Sequence, residues 1–374
     1  MAPRTTLDLF VTLMPSFPHF ARFARDARLA GIRLNSAMTE VVELDDELAR
    51  IRAAGATTPL WFDVKGRQMR VVEVGGDQTH LVCVLNHAIT VRTPIPVLFK
   101  GGEDSALLDH LEDGGRRLVF RGGPAFTVRA GESIHIRHPS LVIHGPLFTR
   151  AEREKIAKVR AAGFHQYFLS YVEEQRDIDE LRELVGADAE LMLKIESTRG
   201  LDFVARQFRK RDGVTLVAAR GDLFVEVDKP HAVLPALRLI IAHDPEAIVG
   251  SRILLSVAQE PLPAELRGAL QHIVAQRPPD DAVTEILMGV LHRPVPSCAD
   301  CSDLAWLTDI GYRRMLLCDE LCLKGELLGT AVNIVDAFRK EYGAFATTSA
   351  PERAAPAVKP SRSLTDIIFS YLRQ

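Results

Sequence analysis

The feature that most constrains the fold is a pair of apolar segments separated by a short helical pattern. The first segment, residues 191–196, carries Lys194 and Glu196 two positions apart, so an extended chain directs both side chains to one face. The second segment, residues 213–219, is followed closely by Asp222. Parallel strands joined by a helix, with charged residues at their carboxyl ends, are typical of the active face of a β/α barrel. We therefore expect Glu196 and Asp222 to face each other and to hold Mg²⁺ or Mn²⁺.

These segments resemble the paired signature of the pyruvate kinases. That family has Lys-Ile-Glu followed one strand later by Ala-Arg-Gly-Asp-Leu, and the chain repeats both in order at residues 194–196 and 219–223. The resemblance implies an α/β fold, a (β/α)8 TIM barrel of the phosphoenolpyruvate/pyruvate superfamily. It also implies a catalytic Lys194 against the transferring phosphoryl group, with Gly221 and Asp222 binding substrate phosphate. The alternative is a salt-bridged pair of strand ends without chemistry.

Composition excludes several classes of protein. The 374 residues, 47% of them hydrophobic, can bury a barrel-sized core and a smaller module. The formal net charge of −3 gives no electrostatic footprint for nucleic acid. No apolar run approaches the ~20 residues of a membrane span, and the start of the chain lacks a signal-peptide pattern. We therefore expect a cytoplasmic enzyme with no nucleic acid or membrane partner. The resemblance implies a small-molecule substrate and a nucleotide as partners, and assembly as a homo-oligomer.

The second predicted strand, residues 31–35, also resembles the family. Arg33 and Asn35 fall in a match to the family's Ala-Arg-Leu-Asn-Phe-Ser-His. The resemblance implies that Arg33 binds phosphate and takes part in catalysis, and that Asn35 is a ligand of K⁺. Ala37 and Met38 stand where the family has its Ser and His. The chain therefore lacks one hydroxyl ligand for K⁺ and one polar contact near the nucleotide.

The third predicted strand, residues 59–64, leads into a further match. Asp63, Lys65, Gly66 and Arg70 fit the family's Asp-Thr-Lys-Gly-Pro-Glu-Ile-Arg. The resemblance implies that Asp63 is a second candidate ligand for the monovalent cation and that Lys65 binds phosphate. It assigns Arg70 to phosphate binding and catalysis, which suits a guanidinium because its fork binds two phosphate oxygens. A surface arginine is the alternative for Arg70.

The domain organisation follows from a change of pattern after the third strand. Residues 71–144 show short strands with Gly and Pro turns, which predict a small inserted β lid domain. The barrel would then comprise residues 1–70 and 145–343, with helices predicted over 17–30, 44–54 and 233–243, and one short strand of the inserted domain is predicted at 133–136. Residues 344–363 are rich in Ala, Pro and Ser and are predicted as a linker, followed by a C-terminal helix at 364–374. Since no counterpart of the family's carboxy-terminal domain is found, we expect no sugar-phosphate activation.

The region after the sixth strand departs furthest from the family. A seventh strand is predicted at residues 252–258, where the family has Ala-Thr-Gln. Residues 261–296 then form a longer connection, with an extra helix predicted over 264–276, at the active face of a barrel. Residues 293–303 resemble the family's Arg-Pro-Thr segment. That alignment implies a catalytic Ser297 in place of the threonine that delivers a proton to the enolate carbon.

Four of the five cysteines follow a spacing close to that of a structural zinc site. Cys298, Cys301, Cys318 and Cys322 give C-x2-C-x16-C-x3-C. Ordinary packing of free thiols in a reducing cytosol is the alternative.

Three functions stay open. The resemblance implies metal-dependent phosphoryl transfer between phosphoenolpyruvate, or a related enol or hydroxy acid, and a nucleotide. A metal-enolate lyase or aldolase of the same superfamily would use the same Glu and Asp, but that branch usually lacks a lysine two residues before the glutamate. A catalytically silent barrel is favoured by departures from the family at Ala37, Met38, Val64 and Gln68.

Overall fold

The structure is a computed structural model that describes residues 7–77, 79–258, 264–278, 281–291 and 295–348. The predicted C-terminal helix and residues 349–363 of the predicted linker lie outside the described residues, as do Arg293 and Pro294 of the segment that resembles Arg-Pro-Thr.

Eight parallel strands close into a barrel. In chain order, the described strands are β1 (Asp8–Thr12), β2 (Leu29–Asn35), β3 (Leu60–Val64), β4 (Val71–Gly76), β5 (Leu81–Leu85), β6 (Ala88–Thr90), β7 (Ile95–Phe99), β8 (Asp104–Glu112), β9 (Arg117–Arg121), β10 (Val142–His144), β11 (Gln166–Leu169), β12 (Glu190–Ile195), β13 (Val214–Ala219), β14 (Ile248–Gly250) and β15 (Arg314–Leu316). Strands β1, β2, β3 and β11 to β15 pair in that order, and β15 returns to β1. The predicted (β/α)8 TIM barrel is confirmed.

Helices connect the barrel strands and cover their outer faces. They are α1 (Phe20–Phe23), α2 (Leu44–Ala54), α3 (Arg150–Ala161), α4 (Gln175–Val185), α5 (Thr198–Arg206), α6 (Arg220–Glu226), α7 (Val233–His243), α8 (Leu255–Ala258), α9 (Ala264–Ala275), α10 (Ala282–Leu291), α11 (Cys298–Asp309), α12 (Asp319–Cys322) and α13 (Gly325–Thr348). Single 3₁₀ turns occur at Ser36–Met38, Lys100–Gly102, Asp113–Gly115 and Pro230–Ala232. No described helix has the length and apolar character needed to cross a bilayer.

Residues 71–144, which are called the insert from here on, form sheets separate from the barrel. Five antiparallel strands lie in the order β4-β5-β9-β8-β7, and β6 pairs with β10. The insert has its own apolar core, in which Cys83, Val97 and Phe99 are fully buried. The strand predicted at 133–136 is wrong, because this segment makes only isolated bridges, such as Leu98 with His135.

Three further element predictions are wrong. The helix predicted over residues 17–30 is reduced to α1, because the chain turns at Asp26, whose side chain accepts hydrogen bonds from the backbone and guanidinium of Arg28. The seventh strand is β14, not residues 252–258: the chain leaves the sheet at Ser251 and Arg252, whose φ angles are 66° and 57°, and α8 follows. The extra helix predicted over 264–276 is confirmed as α9, and α10 follows it. Residues 344–348 continue α13 rather than begin a linker.

Candidate active site

Strand periodicity places polar side chains next to an apolar layer inside the barrel. That layer takes one side chain from each of seven strands: Phe10, Trp61, Phe168, Met192, Val217, Ile248 and Leu316. Because side chains alternate between the faces of a strand, the residue two positions further on also points into the barrel. Met192 is followed in this way by Lys194, and Trp61 by Asp63. The carboxyl ends of the strands therefore present charge directly above a dry core.

A cavity of about 390 Å³ opens over this polar layer. Seven of the residues predicted from the sequence line it: Arg33, Asn35, Lys65, Arg70, Lys194, Gly221 and Asp222. Ala219 and Gly250 line it as well, and their small size leaves the space that larger strand residues would fill. Asp63 and Glu196 lie behind the lining, with no exposed surface. The structure thus brings together nine of the predicted site residues.

Five buried charges form the floor of the cavity. This floor cluster consists of Arg33, Asp63, Lys65, Lys194 and Glu196. Asp63 is its centre: its Oδ2 lies 2.6 Å from Arg33 Nη2, 2.7 Å from Lys65 Nζ and 3.8 Å from Lys194 Nζ. Lys194 Nζ lies 2.8 Å from Glu196 Oε1 and donates to Ser170 Oγ at 3.0 Å. Each floor charge therefore has an opposite charge within contact distance.

The floor cluster keeps its central charges at neutral pH. Burial alone would raise the pKa of Asp63, but Lys194, Lys65 and Arg33 hold that pKa well below its usual value. Burial opposes the charge of Lys194, yet Asp63 and Glu196 outweigh it and raise the pKa of Lys194. Burial lowers the pKa of Lys65 to about 7, against the attraction of Asp63. Lys194 and Asp63 are thus a fixed cation and a fixed anion.

Glu196 and Asp222, the predicted ligands of a divalent cation, lie at the same cavity, with Asp222 in its lining and Glu196 buried behind it. Glu196 Oε2 accepts the backbone N–H of Tyr171 at 2.7 Å, whereas the buried Oε1 contacts Lys194 without a well-directed hydrogen bond from any described group. Burial raises the pKa of Glu196 to about 7; Lys194 opposes that shift and the charge of Asp222 adds to it. A hard cation with oxygen ligands would relieve this repulsion. In the described part of the chain no three His, Cys, Asp or Glu side chains are grouped to hold a metal, so substrate oxygens would complete the coordination.

Asn35 and Asp63, the candidate ligands of a monovalent cation, are already engaged. Asn35 Nδ2 donates to Asp319 Oδ2 at 3.0 Å, and Asn35 Oδ1 accepts the backbone N–H of Ala37. The three cations around Asp63 make a further cation beside it electrostatically unfavourable. The K⁺ site stays a prediction that the charge distribution does not favour.

Asp319 is a site residue that the sequence analysis missed. It follows β15 and accepts from Arg33 Nη1 at 2.7 Å and from Asn35, so it fixes both predicted residues of β2. Burial would raise the pKa of Asp319, but Arg33 and Lys65 lower it. Its partners are more than 280 residues away in the chain, and only closure of the barrel between β1 and β15 brings them together.

Three cations on the upper wall of the cavity lack carboxylate partners. These rim cations are Arg70, Lys100 and Arg252, and no Asp or Glu of the described residues lies within ion-pair distance of them. Arg70 donates to Gln68 Oε1 and to the backbone oxygen of Gly131. Lys100 lies 3.9 Å from the centre of the Phe126 ring, and Arg252 lies 4.9 Å from that of Phe224. Neutral groups thus hold these charges in place and leave them available to an anion.

The structure gives Ser297 a different role from the predicted one. Its Oγ accepts the backbone N–H of Asp300 and donates to the Asp300 side chain, which makes Ser297 the N-cap of α11 rather than a residue of the cavity lining. Because the seventh strand is β14, the hydroxyl that follows it in the cavity is that of Ser251. Arg220 fixes this turn by donating to Ser251 O at 3.1 Å and to both carboxylate oxygens of Asp303.

The cysteines do not converge on one point. Cys318 and Cys322 are buried beside β1, where Cys322 Sγ accepts the backbone N–H of Thr12, whereas Cys298 and Cys301 are exposed on α11. All four are described, and they form no group suited to a metal ion. The structure therefore favours packing over the zinc alternative.

The fold and the site define a class: (β/α)8-barrel proteins whose strand ends carry a buried charge cluster beneath a polar cavity. No family model matches the chain. Pyruvate kinase of Thermoplasma acidophilum is 25% identical over 273 residues, which cover 66% of this chain and 48% of that protein. The pyruvate kinases of Agrobacterium vitis and Methanocaldococcus jannaschii are 32% and 29% identical over 148 and 138 residues, or 39% and 35% of this chain.

The chain is thus similar to pyruvate kinases, at low identity and over part of its length in each comparison. It spans about half the length of the Thermoplasma relative, and the other two matches cover 29% and 30% of the relatives' lengths.

Proposed function

We propose that the protein is a metal-dependent phosphotransferase that moves a phosphoryl group between phosphoenolpyruvate, or a related enol or hydroxy acid, and a nucleotide. The observation that carries the proposal is the floor cluster, with Lys194 held between Asp63 and Glu196 at the base of a cavity that Asp222 also lines. A lyase acting on an enolate would have no phosphoryl charge for Lys194 to neutralise.

In this proposal Lys194 and the arginines bind the phosphoryl group. The bond from phosphorus to the enol oxygen breaks as a new bond to the acceptor oxygen forms, and the enolate then takes up a proton to give the oxo acid. The transferring group stays anionic throughout, so catalysis depends on position and charge. Lys194 supplies a cation whose site is already desolvated, and Arg33 and Arg70 orient phosphate oxygens from the side.

Glu196 and Asp222 would hold Mg²⁺ or Mn²⁺ in this reaction. When bound, the ion would polarise substrate oxygens and neutralise the charge that grows on the enol oxygen. Tyr171 contributes by fixing Glu196 Oε2 through its backbone N–H. Ser251 places a hydroxyl at the cavity wall, where it can orient water for proton delivery.

The test is a coupled assay with phosphoenolpyruvate, ADP and Mg²⁺ on the wild type and a Lys194→Met variant. We expect the variant to lose about 100-fold or more in turnover, because a preorganised charge at the transferring group is lost. The matched control is Lys210→Met. Lys210 also pairs with two carboxylates, Asp244 at 2.9 Å and Glu246 at 3.1 Å, but it precedes β13 at the opposite end of the barrel.

The outcomes separate chemistry from folding. Loss of turnover in Lys194→Met with a retained thermal transition, and near wild-type turnover in Lys210→Met, supports the proposal. Equal losses in both variants would assign Lys194 a structural role. An inactive wild type that nevertheless binds phosphoenolpyruvate and Mn²⁺ would direct the search to the lyase reaction, and one that binds neither would make the barrel a silent one.

A further inference from the structure

A histidine of the insert contacts the acidic helix of the barrel. His135 is only 1% exposed, although it belongs to a segment between two sheets of the insert. Its Nδ1 lies 2.8 Å from Glu226 Oε1 and 3.1 Å from the hydroxyl of Tyr171. Its Nε2 lies 3.8 Å from Asp222 Oδ1 and has no hydrogen-bond partner among the described residues. The imidazole ring of His135 thus lies between two carboxylates of α6, those of Asp222 and Glu226.

The backbone of the insert holds this ring in place. His135 exchanges two hydrogen bonds with Leu98, its N–H to Leu98 O at 3.0 Å and its oxygen from Leu98 N–H at 2.9 Å. Neighbouring contacts join the insert to the same helix: Arg137 donates to Val227 O at 3.2 Å, and Gly102 packs against Val225. The position of the insert therefore fixes the position of the imidazole relative to α6.

The His135 ring is also connected to Glu196 through Tyr171. Tyr171, whose hydroxyl contacts His135, donates its backbone N–H to Glu196 Oε2 at 2.7 Å. Tyr171 adopts a left-handed backbone conformation with φ of 51°, which is costly for a bulky residue and persists only where its surroundings require it. His135 thus faces the carboxylate of Asp222 directly and contacts Tyr171, which supports Glu196, but His135 itself is not part of the cavity lining.

We propose that His135 is a positioning residue that holds Asp222 and Glu196 in the arrangement that shares a divalent cation, and that it makes cation binding depend on the docked position of the insert. This inference rests on the proposed function for the identity of the two ligands. Glu226 anchors one side of the ring through Nδ1, so Nε2 faces Asp222 from a fixed direction. Hydrogen-bonded neighbours that orient ligand carboxylates commonly change metal affinity 10- to 100-fold when they are removed.

The experiment measures Mn²⁺ affinity directly, by the paramagnetic signal of free Mn²⁺, in the full chain without substrate. We expect His135→Gln to weaken Mn²⁺ binding about 10- to 100-fold. Glu226→Gln, which replaces the charged anchor of the ring with a neutral amide without changing Asp222, should weaken Mn²⁺ binding in the same direction and keeps the test valid if His135→Gln fails to fold. In turnover, the Mn²⁺ concentration for half activation should rise, while the rate at saturating Mn²⁺ stays near that of the wild type.

The matched control is His87→Gln. His87 is also a buried histidine of the insert, 5% exposed, and its Nε2 contacts the barrel at Gly66 O at 2.9 Å, but it has no contact with Asp222 or Glu226. An unchanged Mn²⁺ affinity in this variant is expected, and an equal loss in both variants would overturn the proposal, because a loosened insert alone would then explain it.

An Asp222→Asn variant distinguishes this proposal from the proposed function. If it loses Mn²⁺ binding while His135→Gln and Glu226→Gln retain it, the positioning role is overturned and the two-carboxylate site stands. If Asp222→Asn binds Mn²⁺ as the wild type does, the site itself is wrong and the role of His135 is overturned with it.

Discussion

The floor and the rim of the cavity carry similar numbers of cations but hold them in different ways. In the floor cluster, Arg33, Lys65 and Lys194 have side chains at most 10% exposed, and each contacts Asp63 or Glu196. Lys100 and Arg252 of the rim are exposed and rest on aromatic rings. The floor charges compensate one another within the protein, whereas the rim charges have no anion of their own.

This difference separates stability from binding. A buried cation without its carboxylate is strongly unfavourable, so removing an anion from the floor should cost folding free energy. An exposed cation is solvated by water and contributes little to the free energy of unfolding. Removing it should therefore leave stability nearly unchanged and weaken the attraction of an anionic ligand. The floor cluster therefore has to form during folding, before any substrate binds, whereas the rim cations gain an anionic partner only when a ligand binds.

The largest effect is expected from breaking the centre of the floor with Asp63→Asn. Its volume is nearly unchanged, but Arg33, Lys65 and Lys194 would lose the anion that they share in a buried site. We expect a loss of about 3 to 5 kcal/mol in the free energy of unfolding, measured by urea denaturation at neutral pH.

Asp45→Asn is the control for this prediction. Asp45 pairs with Lys158 at 2.6 Å, but 70% of its side chain is exposed, so its loss should cost less than about 1 kcal/mol. If Asp63→Asn costs no more than Asp45→Asn, the distinction between a compensated floor and an independent rim does not hold.

Local patterns in the sequence predicted most of the barrel. Residues 44–54 and 233–243 were predicted as helices with the bounds that α2 and α7 show, because apolar spacing along a helix is a local signal. The prediction of the seventh strand failed for a physical reason. The strand β14 has only three residues, Ile248–Gly250, so its sequence carries little strand signal, and its pairing with β13 and β15 stabilises it instead. The helix predicted over residues 17–30 failed because the side chain of Asp26 forms a turn within it.

The site residues also divide into those that local sequence patterns could predict and those that they could not. Lys194 and Asp63 could be placed, because two-residue alternation and the resemblance both point to the inner face of the strands. Asp319 and His135 could not, because their partners come from distant segments, across the closure of the barrel and across the insert. Ser297 lies at the N-cap of α11 and outside the cavity lining, a position that the match to a family motif did not indicate.

A smaller effect, on ligand binding rather than stability, is expected from the rim variant Lys100→Gln/Arg252→Gln. Both side chains are exposed, and each loses only a contact with an aromatic ring, so the free energy of unfolding should change by no more than about 1 to 2 kcal/mol. Binding of phosphoenolpyruvate or ADP, measured by calorimetry at low ionic strength, should weaken about ten-fold, and added salt should reduce the difference from the wild type.

The control for the rim variant is Arg150→Gln/Arg176→Gln, which removes the same charge from two exposed helix positions outside the cavity lining. Equal weakening in both double variants would mean that net charge alone attracts the ligand. Affinity unchanged in the rim variant would contradict the assignment of Lys100 and Arg252 to anion binding.

The smallest effect is a pH dependence where the insert meets the floor. His87 of the insert contacts the backbone oxygen of Gly66, next to Lys65, and burial lowers the pKa of His87 although that hydrogen bond opposes the shift. The unfolded chain therefore binds more protons at this histidine than the folded chain once the pH falls below about 6.5. The contribution of His87 to the free energy of unfolding should therefore decrease on acidification from pH 7.5 to 5.5, by no more than about 1.4 kcal/mol per pH unit, whereas the raised pKa of Glu196 contributes in the opposite direction.

His87→Gln isolates this contribution, because its amide can still donate to Gly66 O and does not titrate. The free energy of unfolding of both proteins is measured by urea denaturation at the two pH values, and the wild type should lose more than the variant. Asp63 keeps its charge in the folded protein throughout this range, because its pKa is held well below the usual value. An equal change in the two proteins would mean that His87 carries no proton linkage.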